Sequence, residues 1–301
     1  MKTTRRCVNG RKWSIYLWVI LLGVFIGSFK CFAAQAEGVE KMGMGGRDSA
    51  SFADLGVADG KRGNWDGAIE NLKKAAELDP KRAEVFIDLA VAYSEKNDFE
   101  DAVLYADKAI VLNPKKAAAY VAKGYVFQGK RDEERALDAF RRAIAAEPSN
   151  PDAYLALGNL FTQKGRLDSA INAYLDAIKA DPKSVFAYCN VAYIYEAKKD
   201  FEKARGYLEK ASKISPQDAV VWYDLGEIYG KQGDYTKAIE YYEKSYGLDP
   251  RYYKACLSLA MAYEKKRNLE KAAEFYVKSL SLTDDPRLKD AILRQITRAS
   301  E

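Results

Sequence analysis

Residues 185–218 read VFAYCNVAYIYEAKKDFEKARGYLEKASKISPQD, and this stretch decides the fold. In its second half, from Phe201 to Ile214, the apolar residues recur about three or four positions apart, a spacing that is typical of an amphipathic helix. Near its end the stretch contains Ser215-Pro216. Proline has no helical N–H and biases the residue before it away from the α conformation, so this step ends a helix. The stretch therefore predicts two helices joined by a short turn.

Pro216 belongs to a series with a constant interval. Six prolines are each 34 residues from the next, and a fixed period of this length indicates a solenoid of repeated units. These are Pro80, Pro114, Pro148, Pro182, Pro216 and Pro250. With each proline at position 32, seven repeats follow: 49–82, 83–116, 117–150, 151–184, 185–218, 219–252 and 253–286.

Other positions of the repeat are equally regular. Position 20 is alanine in all seven repeats and position 8 is glycine or alanine, so two helices can approach closely at these points. Position 4 is aromatic in six repeats and cysteine in the last, and we expect these side chains to fill the space between layers. One helix pair cannot bury its apolar face alone, so the core must come from the stacking of successive pairs.

These residues resemble the tetratricopeptide repeat, whose pattern combines an aromatic residue with Leu, Gly, Tyr, several alanines and a proline. The resemblance covers 238 of the 301 residues. It implies an all-α, right-handed superhelix of seven helix pairs. Repeat 1 departs from the pattern, because Asp59 replaces the aromatic residue that repeats 2 to 7 have at position 11. This departure suits an end repeat with one face in water.

Three segments flank the repeats. Residues 287–301 are expected to form an amphipathic capping helix. Residues 37–48 are glycine-rich and are expected to form a flexible tether. Residues 13–29 are a run of 17 residues without a charge, preceded by a basic stretch. The apolar face of the capping helix is predicted to be Leu288, Ala291, Ile292 and Ile296.

Residues 1–36 have two interpretations. They form a cleaved signal peptide, since Ala34-Gln35-Ala36 has the small-x-small pattern of a signal-peptidase site, or an uncleaved membrane anchor formed by residues 13–29. The basic flank holds residues 1–12 in the cytoplasm under both interpretations, so the rest of the chain is expected to be exported to the periplasm or cell envelope. Membrane contact would involve this N-terminal segment alone, if it is not cleaved.

The composition excludes several classes of chemistry. The chain has no histidine, which removes Ser-His-Asp and Cys-His pairs and histidine metal sites. Cys189 and Cys256 fall two packing layers apart, beyond the reach of a disulfide. Residues 1–36 hold six basic residues and no acidic one, which leaves 42 basic against 43 acidic residues elsewhere and no reason to expect nucleic-acid binding. We therefore predict a non-enzymatic chain with no catalytic residues, no metal and no cofactor.

The resemblance also implies a binding surface. In tetratricopeptide repeats, positions 2, 5, 6, 9, 12 and 13 of the first helix line a concave groove that holds a partner segment. Asparagines there can pair with a peptide backbone and aromatic rings give stiff apolar contact area, although the rings can equally serve packing between helices. Carried over to this chain, the middle of the groove is Val121, Tyr125, Leu155, Asn159, Phe186, Cys189, Asn190, Tyr193 and Tyr223.

A carboxylate clamp is not expected in this groove. Asn159 and Asn190 stand where clamp proteins of the family have asparagine, but Leu155, Val220 and Asp224 stand in place of the cations. We predict an exported adaptor or scaffold that binds a protein or peptide segment in the groove and serves envelope assembly or secretion. The alternative is a structural scaffold that self-associates into a homo-oligomer.

Overall fold

The computed structural model describes residues 48–300, and within them the chain forms fifteen helices and no strand. The all-α prediction is therefore confirmed for these residues, whereas the predicted signal or anchor segment and residues 37–47 of the tether lie outside the described residues. The helices are α1 Ser49–Lys61, α2 Trp65–Leu78, α3 Ala83–Glu95, α4 Phe99–Leu112, α5 Ala117–Gly129, α6 Glu133–Ala146, α7 Pro151–Gln163, α8 Leu167–Ala180, α9 Val185–Ala197, α10 Phe201–Ile214, α11 Ala219–Lys231, α12 Tyr235–Leu248, α13 Tyr253–Lys265, α14 Leu269–Ser281 and α15 Pro286–Ser300.

The two helices of each pair are joined by a turn with one residue in the left-handed conformation. Position 15 has φ between 58° and 83° in all seven repeats, and glycine, which adopts this conformation without strain, occupies it in three of them. In six repeats the side chain at position 16 then caps the second helix, whereas Arg166 of repeat 4 makes no such cap. In repeat 3, for example, the Asp132 carboxylate accepts a hydrogen bond from the backbone N–H of Arg135 at 3.1 Å. The turn is therefore specified locally, by two consecutive residues.

Small residues bring the two helices of a pair together. The alanines at position 20 are buried in all seven repeats. At position 8 of repeat 3, a Cβ atom on Gly124 would lie 2.3 Å from Cε1 of Phe140, so this ring packs directly on the backbone of α5. Gly226 makes the same room for the ring of Tyr242 in repeat 6, where the distance would be 2.5 Å. Glycine at position 8 thus admits a large ring from the second helix.

The chain divides into two compact units, with the division between Leu160 and Phe161. The described part of the first unit contains α1 to α6 and most of α7, and its core includes Leu72, Val85 and Leu89. The described part of the second unit contains α8 to α15. Its core includes Leu208, Leu225 and Ile228 in one cluster and Tyr242, Leu259, Tyr276 and Ile292 in another.

A stack of three aromatic rings recurs between the two helices of a pair. Positions 4 and 11 of the first helix are two turns apart, roughly 10 Å, which leaves room for one ring between them. In repeat 2, Tyr105 at position 23 fills this space: its ring centroid lies 6.2 Å from that of Phe86 and 5.3 Å from that of Tyr93. We call this arrangement the ring stack. It recurs as Tyr188–Tyr207–Tyr195 in repeat 5 and Trp222–Tyr241–Tyr229 in repeat 6, and as the pair Phe275–Tyr263 in repeat 7.

The two ends of the repeat array differ from its middle. In repeat 1 a polar pair replaces the ring stack, because Asn71 at position 23 donates a hydrogen bond to Asp59 at 2.9 Å. At the other end, α15 packs through Leu288 and Ile292 against the last core cluster. The prediction that Ala291 belongs to the apolar face of this helix is wrong, because Ala291 is exposed.

Candidate functional site

The nine predicted groove residues are divided between the two units, four in the first and five in the second. The four lie on α5 and α7 and the five on α9 and α11. They are Val121, Tyr125, Leu155 and Asn159 in the first unit and Phe186, Cys189, Asn190, Tyr193 and Tyr223 in the second. Binding of a partner by these residues stays a prediction, and the structure shows what each of them contacts.

In the first unit the predicted positions are largely filled by packing. Val121, Tyr125 and Leu155 are buried, and Asn159 is half-buried. The Tyr125 ring meets the Phe140 ring edge-on, with centroids 5.3 Å apart and planes at 70°. These side chains belong to the interior of the first unit and leave little surface for a partner.

In the second unit the corresponding positions of α9 are open. Tyr193 is 61% exposed. Asn190 lies one turn earlier on the same helix, and its amide nitrogen Nδ2 is buried with no hydrogen-bond partner among the residues that the structure describes. Leaving a buried donor unsatisfied costs about 1–3 kcal/mol. An incoming carbonyl oxygen would remove this cost.

Two other predicted residues of the second unit are less open. Phe186 and Tyr223 are half-buried. The Tyr223 ring is tilted against that of Tyr242, with centroids 5.7 Å apart, and meets that of Tyr252 edge-on at 5.2 Å. Tyr223 therefore packs between helices, which is the second role expected for aromatic residues of the groove. Because it is only half-buried, part of its side chain stays accessible.

Three further residues share the register of the predicted ones. Val220 and Met261 are large apolar side chains that are 47% and 50% exposed, and Asp224 lies one turn after Val220 on α11. They occupy positions 2, 9 and 6 of their repeats, which are groove positions, so the repeat register itself could have indicated them. We call Asn190, Tyr193, Val220, Asp224 and Met261 the second-unit surface.

The charge of this surface is negative. Burial is the main cause that raises the pKa of Asp224 to about 7; Glu196 and Glu227 act in the same direction and Lys254 opposes them. Glu227 is held in place by the Tyr242 hydroxyl, which donates a hydrogen bond to its carboxylate at 2.5 Å. Above pH 7 the second-unit surface therefore presents a carboxylate with acidic neighbours.

The two cysteines of the described residues are not activated as nucleophiles. Cys189 and Cys256 are both free, and burial, followed by the charge of Asp224, raises the pKa of the Cys189 thiol. A thiol that keeps its proton is a weak nucleophile. Within residues 48–300 no group of three or more Cys, Asp and Glu side chains is placed to hold a metal ion. In the same range, no helix has the length and apolar character needed to cross a membrane.

Comparisons with known proteins agree with the repeat. The tetratricopeptide repeat family matches residues 61–123, 121–185, 184–251 and 223–285. A search of the curated proteins gives no match. Among solved structures, PilF of Pseudomonas aeruginosa is 19% identical and superposes with a TM-score of 0.58, over 71% of this chain and 97% of PilF. A tetratricopeptide repeat protein from Parabacteroides merdae is 15% identical, with a TM-score of 0.55 over 84% of this chain and all of its own.

Yeast Tom70 is also similar, at 22% identity and a TM-score of 0.68 over 84% of this chain. The chain spans about half of Tom70, 53% of its length. At these identities the structural similarities show the fold. The same 34-residue unit is indicated by the residues at fixed repeat positions, by the left-handed turn of every repeat and by the family matches over residues 61–285. This chain therefore belongs to the tetratricopeptide repeat family.

Proposed function

We propose that this chain is an exported, non-enzymatic adaptor that binds a segment of a protein partner on the second-unit surface. The tetratricopeptide repeat fold is typical of protein–protein interaction scaffolds. The observation that carries the proposal lies on α9, where the exposed Tyr193 stands one turn from the buried, unpartnered amide nitrogen of Asn190.

The second-unit surface suits an extended segment. Such a segment presents backbone carbonyls, and one of them can accept from Asn190 and satisfy its buried donor. The ring of Tyr193 offers a large contact area at a low entropy cost, since a tyrosine has only two side-chain torsions to restrict. Val220 and Met261 extend the apolar area onto α11 and α13.

The test is the double variant Asn190→Ala, Tyr193→Ala. We expect it to lose capture of the partner in pulldowns from membranes, and to keep the helical circular dichroism of the wild type. A matched control is Asn172→Ala, Val277→Ala, which removes an exposed amide and an exposed apolar side chain from the second helices of the same unit. The control is expected to bind as the wild type does. Wild-type capture by the Asn190/Tyr193 variant would refute the site.

The proposed location rests on the sequence of residues 1–36. This segment is first basic, then apolar, and ends in small residues, and that order supports export. Export in turn supports a role in envelope assembly or secretion. N-terminal sequencing of the mature protein decides between the two interpretations. A chain that begins at Glu37 has lost a signal peptide, whereas a chain that retains residues 1–36 is anchored.

Self-association is the second candidate function. Val111 and Leu104 on α4 are 79% and 48% exposed, so the first unit presents apolar side chains on a second helix. Contacts between copies through such a face would build a homo-oligomeric scaffold. Light scattering over a range of concentrations tests this candidate, and a constant mass equal to that of one chain would reject it.

A further inference from the structure

Repeat 3 lacks the middle ring of the ring stack. It retains the two outer rings, Tyr120 at position 4 and Phe127 at position 11, but position 23 is Ala139. Repeats 2, 5, 6 and 7 have tyrosine or phenylalanine at that position. Repeat 4 also has alanine there, Ala173, but its two outer rings belong to different units. The outer rings of repeat 3 are therefore spaced to hold a ring that their own second helix does not supply.

The structure contains a cavity at this place. It has a volume of about 250 Å³ and is lined by Tyr120, Phe127 and Ala139, together with Ile110 of the preceding repeat. A cavity of roughly 150 Å³ in a protein core already accepts a benzene ring. The space left by Ala139 is therefore large enough for one aromatic side chain. We call this cavity the repeat-3 cleft.

One cation of the cleft stands where intact ring stacks have a lysine. In repeats 2 and 5, the lysine at position 26 lies over the middle ring, with Nζ of Lys108 4.9 Å from the Tyr105 centroid and Nζ of Lys210 5.2 Å from the Tyr207 centroid. Repeat 3 has a cation at the same position, Arg142, and it lines the cleft. A cation above the ring face attracts an electron-rich ring.

The cations of the cleft are already balanced by carboxylates. Arg142 pairs with Asp138 at 2.9 Å, and Lys123 pairs with Asp107 at 2.6 Å. The guanidinium of Arg135 lies 4.9 Å from the Phe127 centroid and pairs with a carboxylate outside the cleft. Because no surplus positive charge remains, the cleft favours a neutral ring over a small anion.

We propose that the repeat-3 cleft is a second binding site, which receives a tyrosine side chain of a protein partner between Tyr120 and Phe127. In the intact stacks the middle ring is attached to the protein backbone through one Cβ atom. A tyrosine of a partner is attached to its own backbone in the same way, so its ring can take the same place. The site shares no residue with the second-unit surface and lies wholly in the first unit. The two sites can therefore bind different segments.

The test is a titration of the full chain, labelled at alanine and isoleucine methyl groups, with N-acetyltyrosinamide. We expect saturable shifts of the Ala139 and Ile110 methyl resonances and none at the buried Ala272 of repeat 7. N-acetylleucinamide is expected to give no saturable shift at either methyl. Absence of a saturable shift with the tyrosine probe, or equal binding of the leucine probe, would overturn the proposal.

Two variants make the test specific. Ala139→Tyr supplies the missing ring from within the chain, so it should abolish binding of N-acetyltyrosinamide and raise the unfolding midpoint. Tyr105→Ala opens the equivalent space in repeat 2, and it should add a second set of shifts, at the introduced alanine methyl and at Ala76. Retained binding by the folded Ala139→Tyr chain would refute the site. Tighter binding of free tyrosine than of the capped residue would overturn the assignment to a partner's side chain.

Discussion

The same residue type at the same repeat position has opposite surroundings in the two units. Tyr125 and Tyr193 both occupy position 9 of their repeats, yet Tyr125 is 6% exposed and Tyr193 is 61% exposed. A shared register therefore does not give a shared role. The first unit uses this position for packing, and the second unit leaves it open for contact.

The difference originates on the neighbouring helix. In repeat 3, Gly124 at position 8 lets Phe140 lie on α5, and Phe140 covers the edge of Tyr125. In repeat 5 the same two positions are Ala192 and Leu208, which are buried in one cluster. No aromatic ring stands at position 24 of repeat 5, so Tyr193 has no equivalent cover from α10.

The comparison predicts opposite effects of one substitution. Tyr125→Ala should lower the free energy of unfolding by about 3–5 kcal/mol, since it leaves a cavity next to Phe140. Tyr193→Ala should change it by no more than about 0.5 kcal/mol, because the ring is on the surface, and should instead weaken partner binding. Urea unfolding followed by circular dichroism, with pulldown of the partner, measures both. Equal losses of stability in the two variants would break the comparison.

A second substitution tests the cause of the difference. Gly124→Ala places a Cβ atom against Phe140, and we expect a net loss of about 2 kcal/mol in the free energy of unfolding together with greater exposure of Tyr125. Thermal unfolding and the near-ultraviolet circular dichroism of the aromatic residues measure these effects.

The matched control for this variant is Gly206→Ala on α10. A Cβ atom on Gly206 meets nothing within 4 Å, so this change should raise stability by about 1 kcal/mol through helix propensity alone. A stabilising Gly124→Ala variant would show that Phe140 does not need the space over α5, and that another feature buries Tyr125.

The helix pairs could be predicted because their signals are local. Pro216 ends a pair through its own missing N–H, and the Asp132 cap acts on a residue three positions away. The division between Leu160 and Phe161 has no such signal, since the period of 34 residues continues across it. Periodicity reports the repeated unit and does not indicate where a division between compact units falls.

The candidate sites were only partly predictable, for a related reason. The register placed Asn190 and Tyr193 on α9, but the exposure of a side chain depends on which residue of the neighbouring helix covers it. The residue types at a single repeat position do not contain that information. The repeat-3 cleft did leave a signal, the alanine at position 23 where four other repeats have a ring. Ala139 becomes informative only once Tyr105 is seen to stack on two rings.

The smallest expected effect concerns two aspartates at position 6, Asp88 in the first unit and Asp224 in the second. Burial is the main cause that raises the pKa of each to about 7. The folded chain therefore holds these protons more tightly than the unfolded chain, so their contribution to stability is full below about pH 4 and is lost as the pH rises through 7. Asp88→Asn and Asp224→Asn should each raise stability by about 1 kcal/mol at pH 8 and much less at pH 5.

Effects on stability in the same direction make this pair a useful test of binding. Thermal unfolding at pH 5 and pH 8 should show the same direction of change in the two variants, because burial raises the pKa of both carboxyl groups to about 7. Partner capture at pH 8 should distinguish them: Asp224→Asn removes a charge from the second-unit surface, whereas Asp88→Asn changes a unit whose predicted positions are filled by packing. Equal changes in capture would mean that the two units bind alike, whatever the exposure of their tyrosines.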